Sequence, residues 1–303
     1  MNENGKNAGN YVYGARDNLD AMSLARNYNA HIFRWISEGV TDGVRVLDFG
    51  AGGGEFADRF DFPITCIEPD ASMQALIGQK TGIGHKTYRS LDELDADAAP
   101  LCAGVAPPLT PGAAPPLTPG AAPPLTPGVA PPLTPGVAPP LTPGVAPPLT
   151  PGVAPPDCGF DLIYSINVLE HIGDDLAVLR SLYKRLKDGG RLKILVPAFK
   201  ILYGRMDAHV GHVRRYSRGA LRALLKEAGF EAVELRYFDS IGFFASLLYK
   251  LIGGRGDIDP ADVLRYDGYV FPLSAMLDEA VFKRALGKNL MAVAVKPAGC
   301  KPG

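Results

Sequence analysis

Apolar residues along this chain recur with two different periods, and the alternation between them predicts its architecture. From Asp20 to Gly39 they fall at helical spacing (Met22, Leu24, Ala25, Tyr28, Ile32, Phe33, Ile36), which predicts an amphipathic helix with Gly39 as its stop. Val44–Phe49 (VRVLDF) reads as a buried strand, followed by a glycine cluster and a short helix. Pro63–Glu68 (PITCIE) predicts a second strand, Ala71–Ile77 a helix, and Lys86–Ser90 (KTYRS) a weaker third strand. Phe160–Ile166 (FDLIYSI) is a fourth, and Asp174–Leu186 a helix with Leu176, Val178, Leu179, Leu182 and Leu186 on its inner side. Asp188-Gly189-Gly190 turns the chain into a fifth strand, Arg191–Ala198. Ser217–Ala228 predicts a helix ended by Gly229, and Glu231–Phe238 and Asn289–Lys296 complete the strands.

Strands separated by helical segments pair in parallel through right-handed crossovers, with helices on both faces of the sheet. The fold class is therefore α/β. Between the last two strands, residues 240–288 are of largely helical character, from SIGFFASLLYKLIGG to VFPLSAMLDEAVFKRAL.

One segment obeys neither period. From Gly104 to Pro156 the unit GVAPPLTP, with Val or Ala in second place, repeats six times before a truncated GVAPP. Its prolines remove amide donors and fix φ, so neither helix nor ladder can propagate, and polyproline II with turns is expected. Lengthening a five-residue connection to fifty-odd residues costs only about 2 kcal/mol of closure entropy, so a domain can carry the insert on its surface. The expected organisation is a flexible N-terminus (1–19), one domain built from 20–103 and 157–239, the insert (104–156), a helical lid or substrate segment (240–288), and a last strand and tail (289–303).

A net charge of −1 gives no whole-protein case for nucleic acid or an anionic membrane as a partner, and no nucleic acid is expected. No run of 18 apolar residues is present, and the polar start MNENGKNAGN shows no secretory signal. The four cysteines (Cys66, Cys102, Cys158, Cys300) form no CxxC pair, and reduced thiols in a cytoplasmic chain are expected.

The chemistry concentrates at strand ends. Val46 to Phe56 is an apolar strand, an acid (Asp48), and then Gly50, Gly52 and Gly54 at alternate positions. A backbone without Cβ atoms turns tightly and approaches a ligand closely, and the amides of a following helix would face that ligand. Asp48 could orient a cationic amino group. Glu68, about twenty residues on, ends the second strand, where a carboxylate can take both hydroxyls of a ribose. A nicotinamide-type G-x-G-x-x-G does not fit from Gly50, because position 55 is Glu.

These motifs resemble those of class I S-adenosylmethionine-dependent methyltransferases. Asp48, Gly50, Gly52 and Gly54 match the family's D/E-x-G-x-G-x-G, and Glu68-Pro69-Asp70 its acidic ribose position. FDLIYSINVLEHI (160–172) matches the fourth-strand motif, and LKDGGRLKILVPA (186–198) the glycine turn into strand five. The resemblance implies a Rossmann-like, doubly wound seven-stranded sheet, mostly parallel with one antiparallel strand, plus a helical lid. It implies S-adenosyl-L-methionine as cofactor, wrapped by Gly50, Ala51, Gly52 and Gly54, with Glu68 and Pro69 at its ribose, Ser90 and Leu91 near adenine, and Asn167 beside it. Many relatives carry an acid where this chain has Ser90-Leu91. The acceptor would be a small molecule or a lipid-linked one.

After strand five, Asp207 to Tyr216 (DAHVGHVRRY) carries two histidines, an acid and two arginines. Ligands in such folds lie at the carboxyl ends of strands, so this loop is expected over the reacting group. His209 or His212 is a candidate base, and Asp207, Arg214, Arg215 and Tyr216 candidate substrate contacts. The plainer reading is solvated charge ahead of a helix capped by Ser217. GHxRRY here also resembles a bacterial subgroup of the family whose substrate is unassigned. His171, in L-E-H, resembles the acceptor-side histidine of ubiquinone-pathway O-methyltransferases; a structural role is the equal alternative. No metal is expected, since His209 and His212 lack a further ligand cluster.

Ile241–Ile252 is apolar nearly all round, and Pro197–Arg255 holds ten Lys or Arg against five Asp or Glu. A lid helix packed over the cofactor domain is the plainer expectation, and peripheral contact with an anionic membrane the sharper one. A reading from another class is a non-catalytic protein that keeps the fold and uses the proline-rich tract as an interaction arm.

Overall fold

The structure, a computed structural model, describes residues 16–41, 43–102, 159–252 and 259–299. All of these belong to one compact unit. The expectations for the N-terminus up to residue 15 and for the repeat tract fall outside the described residues.

Seven strands form one sheet: β1 (Val46–Phe49), β2 (Thr65–Ile67), β3 (Lys86–Tyr88), β4 (Phe160–Ile166), β5 (Leu186–Pro197), β6 (Glu231–Phe238) and β7 (Asn289–Val295). Their order is β3-β2-β1-β4-β5-β7-β6. The first five pair in parallel, and β7 lies antiparallel between β5 and β6. This is the Rossmann-like doubly wound sheet, reversing direction at β1/β4, where a crevice opens beyond the strand ends.

The predominantly apolar central strands follow from burial on both faces. Successive residues of β1, Val46 and Leu47, enter two different core clusters, as do Leu195 and Val196 of β5. Helices α1 (Arg16–Ser23) and α2 (Arg26–Ser37) lie on the chain before β1. Tyr28, Ile32 and Ile36 of α2 pack with Val46, Tyr164 and Leu195. α3 (Ala71–Gln74) follows β2, and α4 (Leu91–Cys102) follows β3. The opposite face is covered from α5 (Asp175–Arg185), by Leu179 and Leu182. After β5 come α6 (Arg205–His209) and α7 (Arg218–Glu227), the latter adding Leu221 and Leu225 to that face. Between β6 and β7 stand α8 (Ser240–Leu251), α9 (Pro260–Arg265), a π turn (Tyr266–Val270) and α10 (Phe271–Ala280).

Four local features differ from the pattern reading. The expected helix Asp20–Gly39 is two, broken at Leu24-Ala25, because Asp267 of the π turn caps α2 from outside. Its carboxylate accepts the amides of Asn27 (2.9 Å) and Tyr28 (2.8 Å). At the other end Lys193 of β5 donates to the carbonyls of Trp35, Ile36 and Glu38 at 2.6–3.1 Å. β5 begins at Leu186, so the Asp188-Gly189-Gly190 turn is an irregularity inside the paired strand, with Gly189 at φ +76°. The glycine cluster opens only a single 3-10 turn, Ala57–Arg59, because the chain must extend again into β2 within a few residues. α4 is wholly additional.

Asp267→Ala should lower unfolding stability by about 1–2 kcal/mol through loss of this cap. Urea unfolding of the two proteins checks it; coincident midpoints would show that the cap carries no weight.

The helices after β6 are tied to its end by Asp239, which takes a left-handed φ of +66°. Its carboxylate caps α8 through Gly242 N (3.0 Å) and accepts hydrogen bonds from Ser274 Oγ (3.0 Å) and the Tyr266 hydroxyl. Asp278 of α10 in turn accepts the amides of Asp239 (2.6 Å) and Ser240 (3.0 Å).

Candidate functional site

A cavity of about 1460 Å³ lies beyond the carboxyl ends of β1, β2, β4 and β5, and α8, α9 and the π turn contribute to its wall. On one side stands the glycine loop. Gly50, Gly52 and Gly54 all adopt positive φ (+84°, +54°, +85°). The amides of Gly50 and Ala51 both donate to Ile67 O, which binds the loop to β2. A Cβ on Gly50 would lie 2.3 Å from Val168 Cγ2, so that position is closed to any other residue as folded. Gly50, Ala51, Gly52 and Gly53 line the cavity. Gly54 does not: its amide bonds Ala51 O, and it serves the turn rather than the ligand side, contrary to its expected direct contact.

Asp48 is 2% exposed and sits in register with Cys66 and Tyr164. The Tyr164 hydroxyl donates to it at 2.8 Å. Burial pushes its carboxyl up to about 7, opposed by that hydrogen bond and reinforced by the charge of Glu68. Glu68 spends one oxygen on Gly52 N (2.8 Å) and the other on Asp70 N (2.9 Å). Burial raises its pKa, and these two amides oppose the shift. Each oxygen retains a further lone pair, so the carboxylate that organises the loop can still accept two hydroxyls. Pro69, Ser90 and Leu91 also line the cavity. So does Asp92, which places an acid one residue beyond the pair expected near a base. Ser90 Oγ accepts Glu93 N (3.2 Å) and Glu93 accepts Arg89 N (2.6 Å), which starts α4. Ser90-x-x-Glu93 is a capping signature that could have announced the missed helix. Asn167, at φ +53°, lines the cavity at the tip of β4.

The opposite wall carries the histidines. His212 Nδ1 bonds Asp207 Oδ1 at 2.8 Å, and His212 Nε2 faces Glu170 Oε1 at 3.7 Å. Asp207 also receives Arg215 through Nε (2.7 Å) and Nη2 (3.1 Å), and Gly204 N (2.9 Å). Burial would raise the Asp207 carboxyl, but the bonds from His212 and Arg215 win and hold it down to about 2. The His171 ring meets that of His212 edge to face, centroids 4.7 Å apart. Burial, then the neighbouring His212, lowers His171 to about 4. Glu170 is fully buried, and its carboxyl is pushed up to about 8 by that burial, against its own amide and Arg215.

His171, Asp207, His212 and Arg215 thus line the cavity together. Three residues expected on this wall do not. His209 is exposed at the end of α6, away from the cavity. Arg214 pairs with Asp175 (2.5 Å) and Gly173 O (2.6 Å), while buried Tyr216 donates to Asp175 (2.8 Å) and Leu169 O (3.2 Å). Both brace the loop against α5, because alternate residues of Val213–Tyr216 point inward and outward as the chain runs beside β5. Tyr249 and Lys250 of α8 also line the cavity, although the sequence reading assigned neither to the site.

Residues 10–235 match the model of a family described as a methyltransferase domain. No curated protein matches the chain. Among solved structures it is similar to an S-adenosylmethionine-dependent methyltransferase from Thermotoga maritima (13% identity, 93% of this chain and 95% of that one, TM-score 0.48). It is also similar to one from Archaeoglobus fulgidus (15%, 90% and 94%, TM-score 0.45). A third is phosphoethanolamine N-methyltransferase 2 of Haemonchus contortus in complex with S-adenosyl-L-methionine (16%, 89% and 52%, TM-score 0.46).

Proposed function

Because the chain belongs to the methyltransferase-domain family, of the class I S-adenosylmethionine-dependent kind, we propose that it methylates a small-molecule or lipid-linked acceptor held at the His171–His212 wall. The observation that carries this reading is Glu68: one carboxylate at the cavity wall ties down the glycine loop with one bond to each oxygen and still has acceptor capacity on both.

The residues fit the cofactor. Glu68 would hold its ribose hydroxyls, the Gly50–Gly53 backbone its methionine part, Asp48 its cationic amino group, and Ser90, Leu91 and Asp92 its adenine. When bound, S-adenosylmethionine supplies a methyl on a sulfonium, a group already activated to leave. The protein therefore mainly aligns and shields: the loop and β4 tip fix one partner, and His171, His212, Asp207 and Arg215 receive the other. Asp207 holds His212 in one orientation, and Arg215 supplies the charge that keeps Asp207 ionised.

The acceptor side is partly apolar. Ala245, Ser246 and Tyr249 of α8 line the cavity, whereas Phe244, Leu248 and Leu251 of the same helix are exposed (52%, 60% and 75%). Residues 244, 248, 251 and 252 fall on one helical stripe, a face suited to the edge of an anionic membrane or to a lipid tail. That arrangement supports a lipid-linked acceptor and peripheral membrane contact by an otherwise cytoplasmic protein. The non-catalytic alternative has less support, since every expected cofactor position except Gly54 lines the cavity.

Calorimetry should find micromolar S-adenosylmethionine binding; its absence would sink the enzymatic reading. Turnover of labelled cofactor should then appear with a cellular lipid extract and be weak with an aqueous one, the reverse result removing the lipid-linked acceptor. His212→Ala should lower turnover about a hundredfold at cofactor affinity within twofold of wild type. Unchanged turnover would remove His212 from the acceptor site.

A further inference from the structure

We propose that Glu170, His171 and His212 form a binding site for one divalent first-row transition ion in the wall of the cavity. One ligand atom from each lies within 4.8 Å of the other two. An ion with ligands at about 2.1 Å in tetrahedral arrangement spaces them about 3.4 Å apart. The gap between His212 Nε2 and Glu170 Oε1, 3.7 Å, is already near that value, and the others do not exceed 4.8 Å.

Two further observations point at an ion rather than at a chance cluster. The first is Glu170, 0% exposed, to whose carboxylate oxygens no other described residue donates a hydrogen bond. A buried carboxyl with no donor beyond its own amide is costly to ionise, and a cation bound to it offsets that penalty. The second is the outer layer around the histidines. His212 turns Nδ1 to Asp207, which is anchored by Arg215 and Gly204 N, and so presents Nε2 to Glu170. His171 is likewise engaged by the backbone of Gly211. Carboxylate or carbonyl support of the far ring nitrogen is how metal-bound imidazoles are oriented.

Two imidazoles and one carboxylate select zinc, iron, cobalt or nickel over magnesium or calcium, which prefer all-oxygen shells. Three protein ligands leave a coordination position open, and because His171 and His212 line the cavity, that position faces the acceptor. Its use rests on the methyl-transfer reading: a hydroxyl acceptor bound there releases its proton to solvent. The resulting oxyanion forms the O–CH3 bond while the C–S pair returns to sulfur. His212 is then an ion ligand, not the proton acceptor.

The sequence spacing suggested no metal, because it paired His212 with His209, which is exposed, whereas Glu170 and His171 lie about forty positions earlier.

The test uses the full chain stripped with chelator and titrated with Co2+, read by visible absorption and metal analysis, with Mg2+ in parallel. One equivalent of Co2+ should bind and be displaced by Zn2+, with no response to Mg2+. Affinity should fall at least about tenfold in Glu170→Gln and in His212→Ala and stay unchanged in His209→Ala. No uptake by the wild type, or equal uptake by all three variants, overturns the site. S-adenosylmethionine calorimetry on the same samples reports folding and separates the two ideas. Cofactor binding without Co2+ uptake defeats the metal site alone, and Co2+ uptake without cofactor binding leaves the site standing and defeats methyl transfer.

Discussion

Glu68→Ala is expected to weaken S-adenosylmethionine binding by about 10²–10⁴-fold. Two hydrogen bonds from ribose hydroxyls to an ionised carboxylate contribute about 1.5–3 kcal/mol each, which sets that range. The same substitution releases the amides of Gly52 and Asp70, so the loop loses its tie as the ligand loses its anchor. Glu68→Gln should also be impaired, since a side-chain amide offers one acceptor oxygen where two amides need one each, and its NH2 group meets a donor. Calorimetry decides the matter. A dissociation constant within threefold of wild type for the alanine variant would mean that Glu68 does not hold the ribose.

Asp48→Asn should make the ligand-free protein more stable at pH 8 while weakening its hold on the cofactor. The folded-state carboxyl is raised from an ordinary 3.8 to about 7. Between those values the folded protein keeps a proton that the unfolded chain has released, so stability falls as pH rises through this window. Above pH 7 the whole penalty is present, about 4 kcal/mol at about 1.4 kcal/mol per pH unit. Asparagine removes it and can still accept the Tyr164 hydroxyl. Urea unfolding should therefore show a gain for Asp48→Asn at pH 8 that closes toward pH 4; an equal difference at both would reject the buried carboxylate as its source. The wild-type affinity for the cationic cofactor should rise with pH up to about 7, as Asp48 ionises, and this rise should vanish in the variant. A residue that harms the empty protein and helps the loaded one is characteristic of a binding site.

What could be read from sequence followed the range of each interaction. The strands were legible because burial on both faces favours short apolar runs such as Leu162–Tyr164 and Ile194–Val196. The glycine loop and Glu68 were legible because they act through local backbone geometry. Ser90–Glu93 was equally local, yet α4 was missed because its acidic and alanine-rich composition carries no strong apolar stripe. The split of the first helix could not be read, since its cap comes from Asp267, 240 positions away. Nor could the roles within DAHVGHVRRY. Residue type makes all of them candidates, and only the path of the chain sends His212 and Arg215 to the cavity, Arg214 and Tyr216 to Asp175, and His209 to solvent.

β7 is the last of the described strands along the chain but an interior one in the sheet, flanked by β5 and β6. A ribosome working from the N-terminus delivers β6 before the strand that must separate it from β5. Until residues 289–295 emerge, β6 has no neighbour to pair with and β5 has one open side. The cavity-lining residues of α8, α9 and the π turn lie in the chain between β6 and β7. Assembly of the parallel half can thus proceed during synthesis, whereas closure of the site waits for translation to pass β7.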